Sequence, residues 1–380
     1  MKIIAYYLPQ FHNIPENDEW WGDGFTEWVN VKKAEPLFEG HAQPRIPLNN
    51  NYYNLLDDDV KIWQAKIAKE NGIYGFAYYH YWFNGRMLLE KPMEQMLANK
   101  NIDIPFCISW ANETWTKAWT GNERKILILQ KYGERKEWVE HFKYLVSFFQ
   151  DDRYIKVDGK PLFIIYRPEV IECLNEMLDC WVEEAKKYGF PGMSFAYQSN
   201  EFNNIKNKDD SRFDYDIEFQ PNLAVHCMNR EKYKTIRSIK RKISRFLESK
   251  FGVEIDRFTS NISNKIMNYN RIDYDMVWKE IIRKKPTNSK SIPGAFVGWD
   301  NTPRYGERAS VFVGDTPEKL YHYMDLQIKN ARDNYKSEFL FMYAWNEWAE
   351  GGYLEPDERY GFGNLESIKK ALKDNNEFPW

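Results

Sequence analysis

The chain has 380 residues, enough for one large domain or two ordinary ones and for a full buried core. Its 53 Lys and Arg stand against 56 Asp and Glu, so no basic field invites nucleic acid. Mean hydropathy is -0.70, and apolar runs such as Pro161-Leu-Phe-Ile-Ile-Tyr166 fall far short of a bilayer span, which excludes a transmembrane helix. The opening Met-Lys-Ile-Ile-Ala-Tyr-Tyr-Leu-Pro reads as a strand rather than a cleavable signal. Cys107, Cys173, Cys180 and Cys227 form no close pair or metal spacing. Together these features lead to the expectation of reduced thiols and a cytoplasmic location. Aromatics are the anomaly: 15 Trp, 25 Tyr and 24 Phe exceed what a core needs, and Trp and Tyr offer flat faces on which sugar rings stack.

Taken in chain order, strand-like and helix-like stretches alternate. Apolar, β-branched and aromatic runs typical of buried parallel strands fall at 2–8, 73–81, 104–110, 161–167, 192–198, 215–220, 293–299 and 339–345. Helical patterns fall between them at about 57–70, 87–99, 134–150, 169–188, 273–285 and 316–333, with a last one near 365–374. Trp138, Phe142, Leu145 and Phe149 keep helical spacing, and Gly72, Gly189 and Gly192 sit where a helix gives way to a strand. This order predicts an α/β fold, a single (β/α)8 TIM barrel spanning residues 1–380. A doubly wound sheet would need a phosphate-binding turn after the first strand, and Gly22-Asp-Gly24 comes too late and too acidic for one.

Two insertions are predicted. A long loop between the first strand and first helix, about 12–56, carries Trp20, Trp21, Asp23, Glu27 and Trp28. A helical insertion over 225–272 follows the sixth strand. Within it, residues 229–250 place Ile236, Ile239, Ile243, Phe246 and Leu247 on one face, amid nine basic and two acidic residues. Such a helix suits peripheral contact with an anionic membrane, although a docked helix with a solvated charged face has the same pattern.

In barrel enzymes chemistry sits at the C-terminal ends of the strands. Here those ends read Tyr6-Tyr7-Leu-Pro-Gln-Phe-His12, Tyr78-Tyr79-His80-Tyr-Trp82, Trp110-Ala-Asn112-Glu-Thr-Trp115, Tyr166-Arg167, Tyr197-Gln198, Glu218-Phe-Gln220, Trp299-Asp300-Asn301 and Trp345-Asn346-Glu347-Trp348-Ala-Glu350. Nearly every end pairs an aromatic with an amide, carboxylate or imidazole, the combination a sugar site requires. Glu347 and Glu350 are three apart, close enough that one carboxyl is expected to hold its proton near neutrality and act as an acid. Glycosidic cleavage uses such a pair.

Six ordered motifs then carry a family resemblance: Tyr6-Tyr-Leu-Pro-Gln-Phe-His12, Gly24-Phe-Thr-Glu-Trp28, Tyr79-His-Tyr-Trp-Phe-Asn-Gly85, Ser109-Trp-Ala-Asn-Glu-Thr-Trp115, Gly298-Trp-Asp-Asn-Thr-Pro303 and Trp345-Asn-Glu-Trp-Ala-Glu-Gly351. From residue 1 to about 365 the chain resembles the WbsX-like family, usually labelled a bacterial glycosyltransferase of O-antigen and capsule synthesis. That family is similar to the endo-α-mannosidases of glycoside hydrolase family 99, and is often called GH99-like. The resemblance implies a barrel without metal or other cofactor acting on an α-linked glycan. It implies that Glu347 is a base helping the sugar's own 2-hydroxyl attack the anomeric carbon, and that Glu350 is the general acid/base. Ala349 stands where those hydrolases carry His, and Gly351-Gly-Tyr353 replaces their Gly-Thr-Gln.

The candidate substrate-binding residues are Tyr7, His12, Glu27, Tyr79, His80, Trp110, Asn112, Trp115, Trp299, Asp300, Asn346 and Trp348. Tyr79, Trp110, Trp115 and Trp299 suit stacking on sugar rings; His80 and Asn112 suit hydroxyls; Glu27 and Asp300 suit orienting a catalytic group. No His-Glu-x-x-His, Cys-x-x-Cys, Gly-x-Ser-x-Gly elbow or P-loop is present. Three activities fit: cleavage or transglycosylation of a bacterial cell-surface-type polysaccharide or oligosaccharide, transfer in O-antigen, capsule or lipopolysaccharide biosynthesis, and glycan binding without catalysis. The expected partner is the glycan, with no nucleic acid.

Overall fold

The computed structural model describes residues 1–116, 125–200, 210–230 and 271–380. Nine parallel segments form the central sheet: β1 (Lys2–Tyr7), β2 (Ile73–Phe83), β3 (Phe106–Trp110), β4 (Lys160–Ile165), β5 (Ser194–Ser199), β6 (Tyr215–Glu218), β7 (Ser291–Ile292), β8 (Gly294–Phe296) and β9 (Phe339–Tyr343). Their order is β7-β6-β5-β4-β3-β2-β1-β9-β8, with short antiparallel additions Arg86–Leu88 on β2 and Lys156–Val157 on β4. Both ends of this path come from one stretch of chain, since β7 and β8 are separated only by Pro293. Proline has no N–H to give a ladder, so of the strand expected over 293–299 only Gly294–Phe296 pairs, with a second piece, Ser291–Ile292, ahead of the proline. Ser291 and Ile292 pair with β6, while Gly294–Phe296 pair with β9. The sheet is thus nearly closed as a barrel of nine segments rather than eight continuous strands. A Cβ at Gly294 would lie 1.8 Å from the Glu218 carbonyl oxygen, so only glycine allows this approach at the seam.

Helices clothe the sheet where their patterns predicted. The main ones are α1 (Asp58–Glu70), α2 (Lys91–Ala98), α3 (Arg135–Phe149), α4 (Leu174–Lys187), α5 (Tyr274–Arg283), α6 (Pro317–Asn330) and α7 (Gly363–Asp374). Asp57 caps α1, Thr316 caps α6, and a reciprocal Glu134/Glu137 box starts α3. Two boundaries differ from expectation. The helix expected at 87–99 begins only at Lys91, because 86–88 pair with β2. The helix expected from 169 begins at Leu174, after a single turn at Pro168–Val170. The long loop after β1 folds into short helices Pro15–Trp21 and Glu27–Lys32. Residues 222–230 are helical, and the basic stretch expected over 229–250 lies outside the described residues from 231 onward. No helix among the described residues is long and apolar enough to cross a membrane.

Strands buried on both faces give the barrel an aromatic interior. The Tyr6 ring stacks on Tyr79 at 5.6 Å, meets Phe219 edge-on at 5.3 Å and tilts against Phe341 at 5.7 Å. This layer is the floor beneath the strand ends.

Candidate active site

Above that floor lies a cavity of about 240 Å³. Its wall comes from strand ends and the loops that follow them: Tyr79 and Tyr81 from β2, Trp115 beyond β3, Trp299 beyond β8, and Tyr343, Glu347 and Glu350 at the end of β9 and after. This is the C-terminal rim, where a barrel leaves side chains free to meet a ligand.

The two glutamates are set by a compact fold of the chain. Asn346–Glu347 pair antiparallel with Gly352–Tyr353, and Trp348–Glu350 make the turn between them. Gly351 closes it at φ +64°, and a Cβ there would lie 2.8 Å from the Asp300 nitrogen. Gly352 must also lack a side chain, since a Cβ would lie 2.4 Å from the Tyr343 ring. The Asp300 N–H donates to the Glu350 carbonyl at 2.7 Å, tying the turn to the loop beyond β8.

One guanidinium serves three carboxylates. Arg304, on the one-turn helix Thr302–Tyr305, donates to Glu350 through Nη1 and to Glu347 through Nη2 at 3.3 Å. The same Nη2 lies 3.4 Å from Glu27. Tyr343 donates its hydroxyl to the other Glu350 oxygen. Burial raises the Glu347 carboxyl to about 8, Arg304 opposes the rise, and the charges of Glu350 and Glu27 add to it. Burial thus favours a proton on Glu347, whereas the family resemblance implies the acid role for Glu350.

The remaining candidates divide by which way their strand or loop turns them. Tyr79, Trp115 and Trp299 line the cavity with the glutamate pair, and Glu27 stands behind it against Arg304. Eight others are turned elsewhere. Tyr7 points outward and donates to Gln64 of α1 at 2.7 Å. His80 is buried against His141 of α3, Nε2 to Nε2 at 2.9 Å, and burial lowers it to about 3. Trp110 packs edge-on to His141 and donates to the Trp82 carbonyl at 3.2 Å. Asn112 clamps the Arg167 backbone with two 2.8 Å hydrogen bonds. His12 sets Nδ1 2.9 Å from the Pro9 carbonyl oxygen, and burial lowers it to about 4. Asp300 accepts from Gln43 at 2.6 Å and from Thr302 at 2.6 Å, with His41 Nε2 at 2.8 Å. Asn346 brackets the Leu8 backbone at 2.7 and 3.0 Å, and Trp348 lies fully buried on Tyr353.

A sequence model of the family described as "Glycosyltransferase WbsX" matches residues 3–368. The chain belongs to the WbsX glycosyltransferase family. Over 375 residues it is 33% identical to the uncharacterized protein WxcX of two strains of Xanthomonas campestris pv. campestris, covering 97% of this chain and 49% of each relative. The chain spans about half the length of those curated relatives. Its fold is similar to that of a GH99 endo-α-mannosidase from Bacteroides thetaiotaomicron in complex with bis-tris propane, with TM-score 0.54 and 12% identity over 99% of this chain and 97% of that one. A protein described as glycoside hydrolase-like is similar at TM-score 0.56 and 12% identity, over 97% and 93% of the two chains. At such identities the likeness shows the barrel fold.

In this WbsX-family chain the cavity also holds residues not singled out from the sequence. Arg304 and Tyr343, which touch the glutamate pair, are the important ones, followed by Tyr81, Gln10, Glu113 and Tyr166 on the wall. Tyr343 carried a legible signal as the last aromatic of a strand. Arg304 carried none beyond the need of clustered carboxylates for a counter-charge.

Proposed function

We propose that this WbsX-family chain is a glycan-active enzyme that cleaves, or transglycosylates from, an α-linked bacterial cell-surface-type polysaccharide or oligosaccharide. One observation carries the reading: a buried carboxyl and a half-buried one, Glu347 and Glu350, share one arginine and open into a cavity walled by tyrosine and tryptophan. Aromatic faces suit the C–H surface of a pyranose, and the carboxyl pair suits proton transfer at its anomeric centre. One carboxyl gives its proton to the leaving oxygen as the C1–O bond breaks. The other takes the proton of the sugar's 2-hydroxyl, whose oxygen closes on C1. Water or an acceptor hydroxyl then attacks C1 and reopens that ring, its proton passing to the first carboxyl while the second returns its proton to the 2-oxygen. This differs from retaining enzymes whose carboxylate is itself the nucleophile. The two glutamine variants separate the roles of Glu347 and Glu350.

The family match supports a second reading, a glycosyltransferase of O-antigen, capsule or lipopolysaccharide biosynthesis. Mass-spectrometric product analysis of the wild type, Glu347→Gln and Glu350→Gln, on α-mannan and O-antigen fragments with and without nucleotide sugars, decides between them. Shortened or rearranged glycans without a donor, lost in the variants, are expected. Lengthened glycans only with a nucleotide sugar would establish the transferase instead.

A further inference from the structure

Behind the turn that carries Glu347 and Glu350 lies a buried acid with no part in the chemistry described so far. Glu355 is 3% exposed, and among the described residues no cation pairs with it. Three donors converge on its carboxyl. The Trp348 indole N–H lies 2.6 Å from Oε2, the Tyr53 hydroxyl 2.7 Å from the same oxygen, and the Gln64 amide 2.7 Å from Oε1. Gln64 in turn accepts from Tyr7 at 2.7 Å. A carboxylate is the side chain such a site requires, because it has lone pairs for every donor and presents no N–H of its own. Burial raises the Glu355 carboxyl to about 7, and the hydrogen bonds it accepts work against that rise.

The network bears on catalysis through its first donor. Trp348 is the residue between Glu347 and the Ala349–Glu350 pair, and its ring is stacked 3.7 Å from Tyr353 on the opposing strand of the hairpin. The backbone N–H groups of Leu354 and Glu355 both return to the Trp345 carbonyl, at 2.9 and 3.3 Å. Glu355 and Trp348 therefore clamp the turn from the side opposite the cavity. A group whose neighbours bind it so fully gains nothing from facing a ligand; it gains from holding the backbone still.

We propose that Glu355 is a positioning residue for the carboxyl pair, fixing through the Trp348 indole the turn that spaces Glu347 from Glu350. The proposal rests on the reading of that pair as the reacting groups. Tyr7, Asn346 and Trp348, which the sequence places at strand ends as candidate ligands of a sugar, belong instead to this support. Asn346 completes it by brackets on Leu8 and a 3.4 Å contact with the Tyr53 hydroxyl.

Two variants test it. Glu355→Gln keeps the shape but turns an amide N–H toward one of three donors, and Trp348→Phe keeps the ring but removes the N–H. Each is expected to lower kcat roughly 30-fold with KM changed less than about twofold, since displacing a reacting group costs rate rather than binding. The double variant is expected to be no worse than the poorer single one, as both break a single link. A readout independent of substrate accompanies this: carboxyl carbon NMR of glutamate-labelled protein, with the Glu347 signal assigned by its loss in Glu347→Gln. As the turn loosens and water enters, the Glu347 midpoint is expected to fall by at least about half a pH unit in both variants. A lower melting temperature with kcat and the Glu347 midpoint unchanged would reduce Glu355 to a structural residue and overturn the proposal. If the wild type turns over no glycan, the catalytic reading fails, and an unmoved midpoint would still refute the positioning role on its own.

Discussion

Strand β2 carries two sets of aromatic residues that look alike in sequence and do opposite things. Tyr79 and Tyr81 face the cavity, while His80 and Trp82 face α3, where His80 lies against His141 and Tyr144 and Trp82 stacks 4.4 Å from the His141 ring. The strand period of two separates them completely. The same division holds at β1, where Tyr6 joins the interior layer and Tyr7 turns to α1. After β9 a turn rather than strand parity makes the division: Glu347 and Glu350, three apart across the Trp348–Glu350 turn, reach the cavity, and Asn346 and Trp348 hold the chain. Position along a strand brings a residue to the rim, and parity decides whether it meets a ligand or a helix.

The largest effect expected from breaking this division is at Arg304, the cation that Glu27, Glu347 and Glu350 share. Arg304→Met leaves Glu27, Glu347 and Glu350 without their counter-charge in a buried site. Turnover is expected to fall at least about 100-fold and stability by about 3–5 kcal/mol, measured by product formation and chemical denaturation. Retained activity would show that the carboxyls are solvated and the cavity misread.

A second, smaller effect is in pH. Burial holds the Glu347 carboxyl protonated up to about 8, against an ordinary value of 4.5. Between those values the folded chain binds a proton that the unfolded chain has lost, so this group makes stability fall as pH rises from 4.5 to about 8. Glu347→Gln is expected to flatten that slope in urea titrations. In the wild type the rate is expected to change near pH 8, declining above it if Glu347 is the acid and rising toward it if Glu347 is the base.

Next comes the direct contrast between neighbours. Tyr79→Ala, on the inner face, is expected to raise KM or ligand Kd about tenfold through loss of a stacking surface. His80→Ala, one residue on, is expected to leave KM alone and cost about 1–3 kcal/mol of stability, because His141 loses its buried partner. The opposite pattern in calorimetric binding and melting would reverse the assignment of faces. The smallest effect belongs to Trp110→Phe. It keeps the ring packed on His141, gives up one hydrogen bond to Trp82, and should cost about 1 kcal/mol with no change in ligand affinity.

Much of this was legible in the sequence. The alternation of strand and helix patterns gave a parallel barrel, and the rule about strand ends selected the rim that holds Glu347, Glu350, Tyr79, Trp115 and Trp299. Parity was not legible, and the reason is physical. Parallel strands covered on both faces show no alternation of polar and apolar residues, and Ile73–Phe83 is aromatic or apolar on both sides. A register shift between β1 and β2 at Ile3 and Ile4 further blurs any counting from a strand's start. Arg304 escaped because a lone arginine in a one-turn helix reads as solvated, and only the three carboxylates around it reveal its burial. Glu355 escaped for a related reason: its partners Tyr53 and Gln64 lie 302 and 291 residues away in the chain and meet it only in the fold.

Pro293 has a consequence for how this barrel tolerates change. The hoop is fastened by a clasp of six residues, Ser291 to Phe296, gripping β6 on one side of the proline and β9 on the other. One residue inserted at the clasp would shift Gly294 away from the Glu218 carbonyl and rotate the segment that leads to Trp299. The cavity wall and the ring closure are thus tuned by the same few residues, so drift in one is read out immediately in the other.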